Sequence, residues 1–194
     1  FEIWKRLERP ALMEMSVMTH HLWYLRSRAN AGDMPGRGYK SFVDWHTLWN
    51  EEAAKTMLPQ QLGWWGAYTW NGIQPERSFP DDFEYLLCKA LANNNSLSML
   101  AGFNTDTIKK SYNTQRLAAM IKKYETLRRA LAAPDSLRQA LATRGAEYTL
   151  EACGTDEFQF RPITYDKHKI TNIDKQSNHW ISENPYGEQK ARLR

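Results

Sequence analysis

The stretch from residue 62 to residue 70, LGWWGAYTW, constrains the fold most, because it is apolar, aromatic and followed by a turn-forming Asn-Gly pair. It is too short to be stable as an isolated helix, and its aromatic content is typical of a buried strand. The segments on either side, 48–58 and 80–92, are rich in good helix formers. Strand and helix therefore alternate, as they do in parallel α/β folds.

The same alternation extends in both directions along the chain. Residues 11–18, ALMEMSVM, are almost wholly apolar and predict a strand buried on both faces. Short strands are also predicted at 41–46 and 96–102, a long loop at 20–40, and helices at 47–58, 80–92, 106–132 and 135–144. Four strand–helix units in series predict either half of a (β/α)8 barrel of the TIM type or one wing of a doubly wound sheet. The barrel is favoured, because no glycine-rich phosphate loop follows any predicted strand.

The pattern changes near residue 145. Residues 147–153 and 157–165 alternate polar and apolar side chains, which is typical of half-exposed antiparallel strands. We therefore predict a partial barrel over 1–145 and a β-rich, sandwich-like segment over 146–194. Because the first residue is not methionine, we also expect the chain to belong to a longer polypeptide.

Composition excludes several classes of function. The chain has 42% hydrophobic and 25% charged residues, as soluble globular proteins do, and no apolar run long enough to predict a membrane span. Its net charge of +4 is small and its basic residues are spread along helices, so no nucleic-acid partner is predicted. Cys88 and Cys153 have no metal-type or redox-type spacing. His20 and His21 are adjacent and would point in opposite directions on an extended chain, so neither a metal nor a cofactor is predicted.

Active sites of barrels lie at the carboxyl ends of the strands and in the loops that follow them. Glu14 should point to the barrel interior, because a charge cannot face the helical layer cheaply. Asp44 and His46 share one face of the predicted strand 41–46 and predict an acid–base pair, although a capping role for Asp44 is an equal alternative. These three residues are the catalytic candidates, and the substrate-binding candidates are His20, His21, Arg26, Arg28, Tyr68, Trp70 and Asn71.

The phrases HHLWYLRSRANAGDMPGRGYKSFVDWH, LPQQLGWWGAYTW and FPDDFEYLLCKAL resemble the later part of the catalytic barrel in large glycoside-hydrolase-like proteins of polysaccharide-degrading bacteria. The resemblance extends over about residues 10–130 and includes no diagnostic catalytic motif. It implies carbohydrate processing in the periplasm or outside the cell. It also implies that the first half of the barrel is supplied by the remainder of the same polypeptide or by a second chain.

The mixture of carboxylates, imidazoles and aromatic rings favours hydrolysis of glycosidic bonds in a polysaccharide, in which one carboxyl group protonates the leaving oxygen and another assists. Three alternatives remain open from the sequence. The protein is a carbohydrate-binding protein without catalysis, a polysaccharide lyase that abstracts a proton from an anionic sugar, or a structural fragment whose aromatic residues are all core.

Overall fold

The computed structural model divides into two units, which comprise residues 1–145 and 146–194 and are described separately. The division falls at the boundary that the change of sequence pattern predicts. The structure describes residues 2–11, 31–32, 39–59, 61–67, 78–99, 102–154, 157–166, 168, 170, 178–189 and 191.

The first unit combines a small parallel sheet with a layer of helices. Its elements in chain order are α1 (Glu2–Lys5), β1 (Ala31–Gly32), α2 (Tyr39–Ala53), β2 (Gln61–Trp65), α3 (Pro80–Ala92), β3 (Ser96–Met99), α4 (Thr105–Lys110), α5 (Tyr112–Arg129) and α6 (Asp135–Ala142). The strands are all parallel and lie in the order β1-β2-β3, with Ala31 beside Gln61 and Leu62 beside Leu97.

The helices of this unit pack side by side. Helix α2 connects β1 to β2, α3 connects β2 to β3, α2 contacts α3, and α3 contacts both α5 and α6. Right-handed crossovers between parallel strands in simple sequential order place the connecting helices on one face of the sheet. Both a barrel segment and one wing of a doubly wound sheet have this arrangement, so the half-barrel stays a prediction.

Helix α3 lies at the centre of the unit. Its residues from Phe83 to Leu91 are all buried, which is expected of a helix surrounded by sheet on one side and by helices on the others. Phe83 and Leu86 pack with Leu62 and Trp65 of β2 in the main hydrophobic core. The aromatic stretch that dominates the sequence is thus the strand beneath the central helix.

The prediction of a strand over residues 41–46 is wrong, because these residues lie within α2. The six-residue segment SFVDWH alternates well enough to fit a strand, but its neighbours are buried at helical spacing, at Tyr39, Val43, His46 and Asn50. Short apolar runs do not distinguish the two periods by themselves. Tertiary packing on both sides decides this one.

The other predicted strands differ in extent. Of the strand predicted over 62–70, residues up to Trp65 lie in β2 and residues 68–70 lie outside the described residues. The strand predicted over 96–102 is β3, which ends at Met99. The strand predicted over 11–18 lies outside the described residues apart from Ala11. Strand β1 falls where a loop is predicted, and its two small residues carry no strand propensity.

The long helix predicted over 106–132 is divided at Ser111. The backbone of Ser111 is extended, and its hydroxyl accepts a 3.3 Å hydrogen bond from the backbone N–H of Thr114. Serine is a preferred N-cap residue because its side chain satisfies one of the unpaired N–H groups at a helix start. The result is a short α4 followed by α5.

The second unit contains an antiparallel pair, β4 (Tyr148–Ala152) and β5 (Phe158–Pro162). Leu150 lies opposite Phe160, and the Arg161 guanidinium contacts the Glu151 carboxylate at 2.9 Å. The alternating sequence pattern predicts this pair and its direction correctly. A sandwich-like domain beyond it stays a prediction.

Among the helices that the structure describes, none is both long and apolar enough to cross a membrane.

Candidate functional site

The first residues of α2 and α3 lie at the carboxyl edge of the sheet, because a helix that follows a strand begins where the strand ends. Here the ring of Tyr39, the first residue of α2, meets the ring of Trp65, the last residue of β2. Their centroids are 4.8 Å apart at an interplanar angle of 60°, which is the favoured edge-to-face arrangement. We call Tyr39, Lys40, Trp65 and Asp81 the carboxyl-edge cluster.

Two polar atoms of this cluster are buried without a hydrogen-bond partner in the described part of the chain. They are the hydroxyl oxygen of Tyr39 and the indole nitrogen of Trp65. Burial and the negative charge of Asp82 raise the pKa of Tyr39 well above its ordinary value, so its hydroxyl stays protonated. Leaving such a group unsatisfied costs about 1–3 kcal/mol. The two atoms therefore mark a position where a further polar group would be stabilising.

An ion pair joins the two helix starts at the same edge. The ammonium of Lys40 lies 3.2 Å from a carboxylate oxygen of Asp81, and both side chains are largely buried. The same ammonium lies 5.8 Å from the centroid of the Tyr85 ring. Asp81 and Asp82 occupy the first turn of α3, where negative charge complements the helix dipole. This edge thus combines aromatic rings, a cation and two carboxylates.

The loop between β2 and α3 leaves and returns at one point of this edge. The backbone N–H of Ser78 donates to the carbonyl of Ala67 at 3.0 Å, and the Ser78 hydroxyl donates to the carbonyl of Gly66 at 2.7 Å. Residues 68–77 connect these two positions and lie outside the described residues. They include three substrate-binding candidates, Tyr68, Trp70 and Asn71, so the placement of these stays a prediction.

Asp44 lies on α2 and accepts hydrogen bonds from two other elements. The Tyr85 hydroxyl of α3 donates to one of its carboxylate oxygens at 2.6 Å, and the backbone N–H of Gly145 approaches the other at 3.2 Å. That N–H also donates to the Tyr85 hydroxyl oxygen at 2.9 Å. The capping role is wrong, because Asp44 lies inside the helix. Its contacts favour a structural role at the junction of α2, α3 and the segment after α6.

His46 is buried between aromatic rings of its own helix. Its ring centroid lies 4.5 Å from that of Phe42 and 5.0 Å from that of Trp45. Desolvation by this burial lowers the pKa of His46 from 6.5 to about 4, so the imidazole is neutral at pH 7. Residues two apart on a helix do not face each other. The shared face that suggested an acid–base pair with Asp44 is a property of the strand prediction, and it is lost in the helix.

No family model matches the chain, and comparisons with curated proteins and with solved structures found no significant match. The resemblance to glycoside-hydrolase-like barrels therefore stays a prediction, and the geometry of the chain itself carries the functional argument.

The remaining candidates lie outside the described residues. They are the catalytic candidate Glu14 and the substrate-binding candidates His20, His21, Arg26 and Arg28. In the ranges that are described, no three or more His, Cys, Asp or Glu residues are grouped so that they could hold a metal ion.

Reasoning from the sequence missed most of the carboxyl-edge cluster. Tyr39 and Lys40 fall at the end of the predicted loop 20–40, and Trp65 is interpreted as core. The position of Tyr39 and Lys40 directly before a helical run was the available signal, because helix starts after parallel strands lie at the carboxyl edge. That signal was hidden by the incorrect strand over 41–46.

Proposed function

We propose that this chain is part of a carbohydrate-active protein that hydrolyses glycosidic bonds of a polysaccharide. In this proposal, residues 1–145 are the later part of a (β/α)8 barrel and residues 146–194 begin a β-rich, sandwich-like domain. The observation that carries the proposal is the pair Tyr39 and Trp65, whose two buried polar atoms have no partner in the described residues at the carboxyl edge of a parallel sheet.

The chemistry of this edge suits a sugar. A protonated tyrosine hydroxyl both donates and accepts hydrogen bonds, and an indole N–H donates. Sugar hydroxyl groups accept and donate in the same way. Tyr68 and Trp70, in the loop pinned by Ser78, are proposed to stack on the apolar face of a sugar ring, with Asn71 bonding its hydroxyl groups. His20, His21, Arg26 and Arg28 are proposed to bind substrate from the segment before β1.

Hydrolysis requires two carboxyl groups on opposite sides of the scissile bond. We keep Glu14 as a catalytic carboxylate in the proposal. The bonds of Asp44 to Tyr85 and Gly145 make it a poor second candidate, because a catalytic carboxylate must reach the substrate. The described carboxylates at the carboxyl edge are Asp81 and Asp82, and the rest of the barrel would supply others.

The outer side of α2 supports a partner that completes the barrel. Trp45 and Trp49 are 53% and 54% exposed, and their ring centroids lie 6.3 Å apart. Trp49 lies about 140° around the helix from Asp44, which bonds to α3, so it faces away from α3. That side of α2 is the side of β1, the end strand of the described sheet. We propose that a further β/α unit covers both, on the remainder of the polypeptide or on a second chain.

A second candidate is carbohydrate binding without catalysis. The specific observation in its favour is that both described catalytic candidates are used for packing, Asp44 in a hydrogen-bonded junction and His46 among aromatic rings. This candidate keeps the carboxyl-edge cluster as the binding site and needs no acid–base pair.

Affinity electrophoresis of the chain in gels that contain soluble polysaccharides tests binding, and release of reducing ends tests hydrolysis. Tyr39→Phe removes only the hydroxyl and should lower affinity for the bound glycan about tenfold. Tyr186→Phe in the second unit is the matched control and should leave affinity unchanged. Loss of hydrolysis in Glu14→Gln with binding retained supports the hydrolase. Retention of polysaccharide without release of reducing ends selects the binding protein, and absence of retention in every gel contradicts both.

A further inference from the structure

Helices α4 and α5 carry a concentrated positive charge. Helix α5 contains five arginine or lysine residues and one acidic residue, Glu125. The carboxylate of Glu125 is engaged by Arg128, whose guanidinium nitrogens donate to it at 2.7 and 2.8 Å. The other cations of α5 and the end of α4 form no ion pair with the described residues. We call them the basic face, which comprises Lys109, Lys110, Arg116, Lys122, Lys123 and Arg129.

The basic face points away from the core. Helix α5 buries Thr114, Leu117 and Tyr124 and packs on α3, so its opposite side is exposed. Lys122 and Arg129 are seven residues apart, as are Arg116 and Lys123. Seven residues are close to two helical turns, or about 10.5 Å along the axis. The cations of α5 therefore form two rows whose charges recur at that spacing.

An exposed aromatic ring adjoins these rows. Tyr112, the first residue of α5, is 79% exposed. It lies four residues before Arg116, which places both side chains on one face of the helix. A ring in this position offers a flat apolar surface beside positive charge, as sites that stack a sugar or a base do.

We propose that the basic face and Tyr112 bind an acidic polysaccharide, with carboxylate groups on the cations and a sugar ring on Tyr112. The spacing of the rows favours this polymer over a nucleic acid. Each DNA strand carries a phosphate about every 3.4 Å and is matched by a dense block of cations. A polymer with one carboxylate on each sugar is less densely charged. The site is on the helical layer and is separate from the carboxyl-edge cluster, so it goes beyond the proposed hydrolase activity.

Titration calorimetry of the chain with polygalacturonate at low salt tests the proposal. The triple variant K122Q/K123Q/R129Q should bind at least about tenfold more weakly, because three charge contacts are lost. Its matched control is K5Q/K55Q/R138Q, which removes the same charge from exposed residues elsewhere and should change affinity less than about twofold. Raising the salt concentration should weaken the wild-type complex far more than the triple variant's complex.

Tyr112→Ala separates stacking from charge. It should weaken polygalacturonate binding several-fold and leave the salt dependence unchanged, because no charge is removed. Equal loss in the two triple variants would show an effect of net charge alone and overturn the proposal. So would no binding to polygalacturonate at low salt, or tighter binding of single-stranded DNA with the same number of charges.

Discussion

The Tyr85 hydroxyl donates a 2.6 Å hydrogen bond to the Asp44 carboxylate and so joins α3 to α2. The backbone N–H of Gly145 contacts both groups, at 2.9 Å from the Tyr85 oxygen and 3.2 Å from Asp44. Gly145 has φ of 74°, a left-handed conformation that glycine adopts without strain. The carboxylate that looks catalytic in the sequence thus fastens three parts of the chain together.

Tyr85→Phe should lower the free energy of unfolding by about 1–3 kcal/mol, because it removes a hydrogen bond to a charged group and leaves the Asp44 oxygen with one fewer donor. Urea unfolding followed by circular dichroism measures the change. Tyr186→Phe is the control and should stay within about 0.5 kcal/mol of wild type. If Asp44→Asn abolished polysaccharide hydrolysis at unchanged stability, Asp44 would be catalytic after all.

The alternation of helix and strand around residues 61–99 was predictable, since buried strands and amphipathic helices each impose a regular pattern. The direction of β4 and β5 was predictable for the same reason. The incorrect strand over 41–46 shows the limit. Val43, Trp45 and His46 fit either period, and only packing against β2 and α3 selects the helix.

The carboxyl-edge cluster could not be derived from the sequence, because it depends on which residues start the helices. Tyr39 and Trp65 lie 26 positions apart, and their contact follows from the pairing of β1 with β2. Similarly, nothing in the sequence shows that Tyr85 reaches Asp44. Long-range side-chain contacts follow from the assembled fold and not from local propensity.

Lys89→Met should destabilise the first unit by about 2–4 kcal/mol. Lys89 is fully buried, donates to the Leu141 carbonyl at 2.8 Å and to the Thr143 carbonyl, and lies 4.7 Å from the Tyr85 ring centroid. Methionine preserves most of the volume but leaves both carbonyls at the end of α6 without this donor. Hydrogen exchange should show the loss first at residues 141–145. Lys123→Met, on the exposed side of α5, is the control, and unchanged exchange at 141–145 in Lys89→Met would contradict the prediction.

His46 should make the protein less stable in acid. Its pKa is about 4 in the folded state and 6.5 in the unfolded state, so the unfolded chain binds a proton first as the pH falls. Stability should therefore be fully present above about pH 7 and should decline as the pH falls from 6.5 towards 4, by about 2–3 kcal/mol from this residue. Below pH 4 the loss should level off.

The measurement is the difference in unfolding free energy between wild type and His46→Leu, taken at several pH values. The difference removes the contribution of the carboxylates, which titrate in both proteins. His179→Leu, in the second unit, is the control and should show no such dependence. A difference that stays constant between pH 7 and pH 4.5 would show that His46 is not protonated preferentially in the unfolded chain.

Trp45 and Trp49 should matter for assembly more than for folding. Each ring is about half exposed, and the two lie in contact on the side of α2 that faces away from α3. Apolar rings exposed together are typical of an interface, where a buried tryptophan often contributes about 2 kcal/mol or more. The double variant W45Q/W49Q should therefore weaken association with a barrel-completing chain, or self-association of the 194-residue chain, by at least about 100-fold. Its own unfolding free energy should change by less than about 1 kcal/mol.

Sedimentation velocity over a range of protein concentrations separates these outcomes. The matched control is W180Q/I181Q, which removes two exposed apolar side chains from the second unit. If W45Q/W49Q lowers association and W180Q/I181Q does not, the α2 side is the interface, because both variants lose similar apolar surface. If the wild-type chain is a cooperative monomer at every concentration and neither variant changes it, the tryptophans do not mark a missing β/α unit. The parallel strands of the first unit would then form a complete small α/β domain, and the barrel proposal would be overturned.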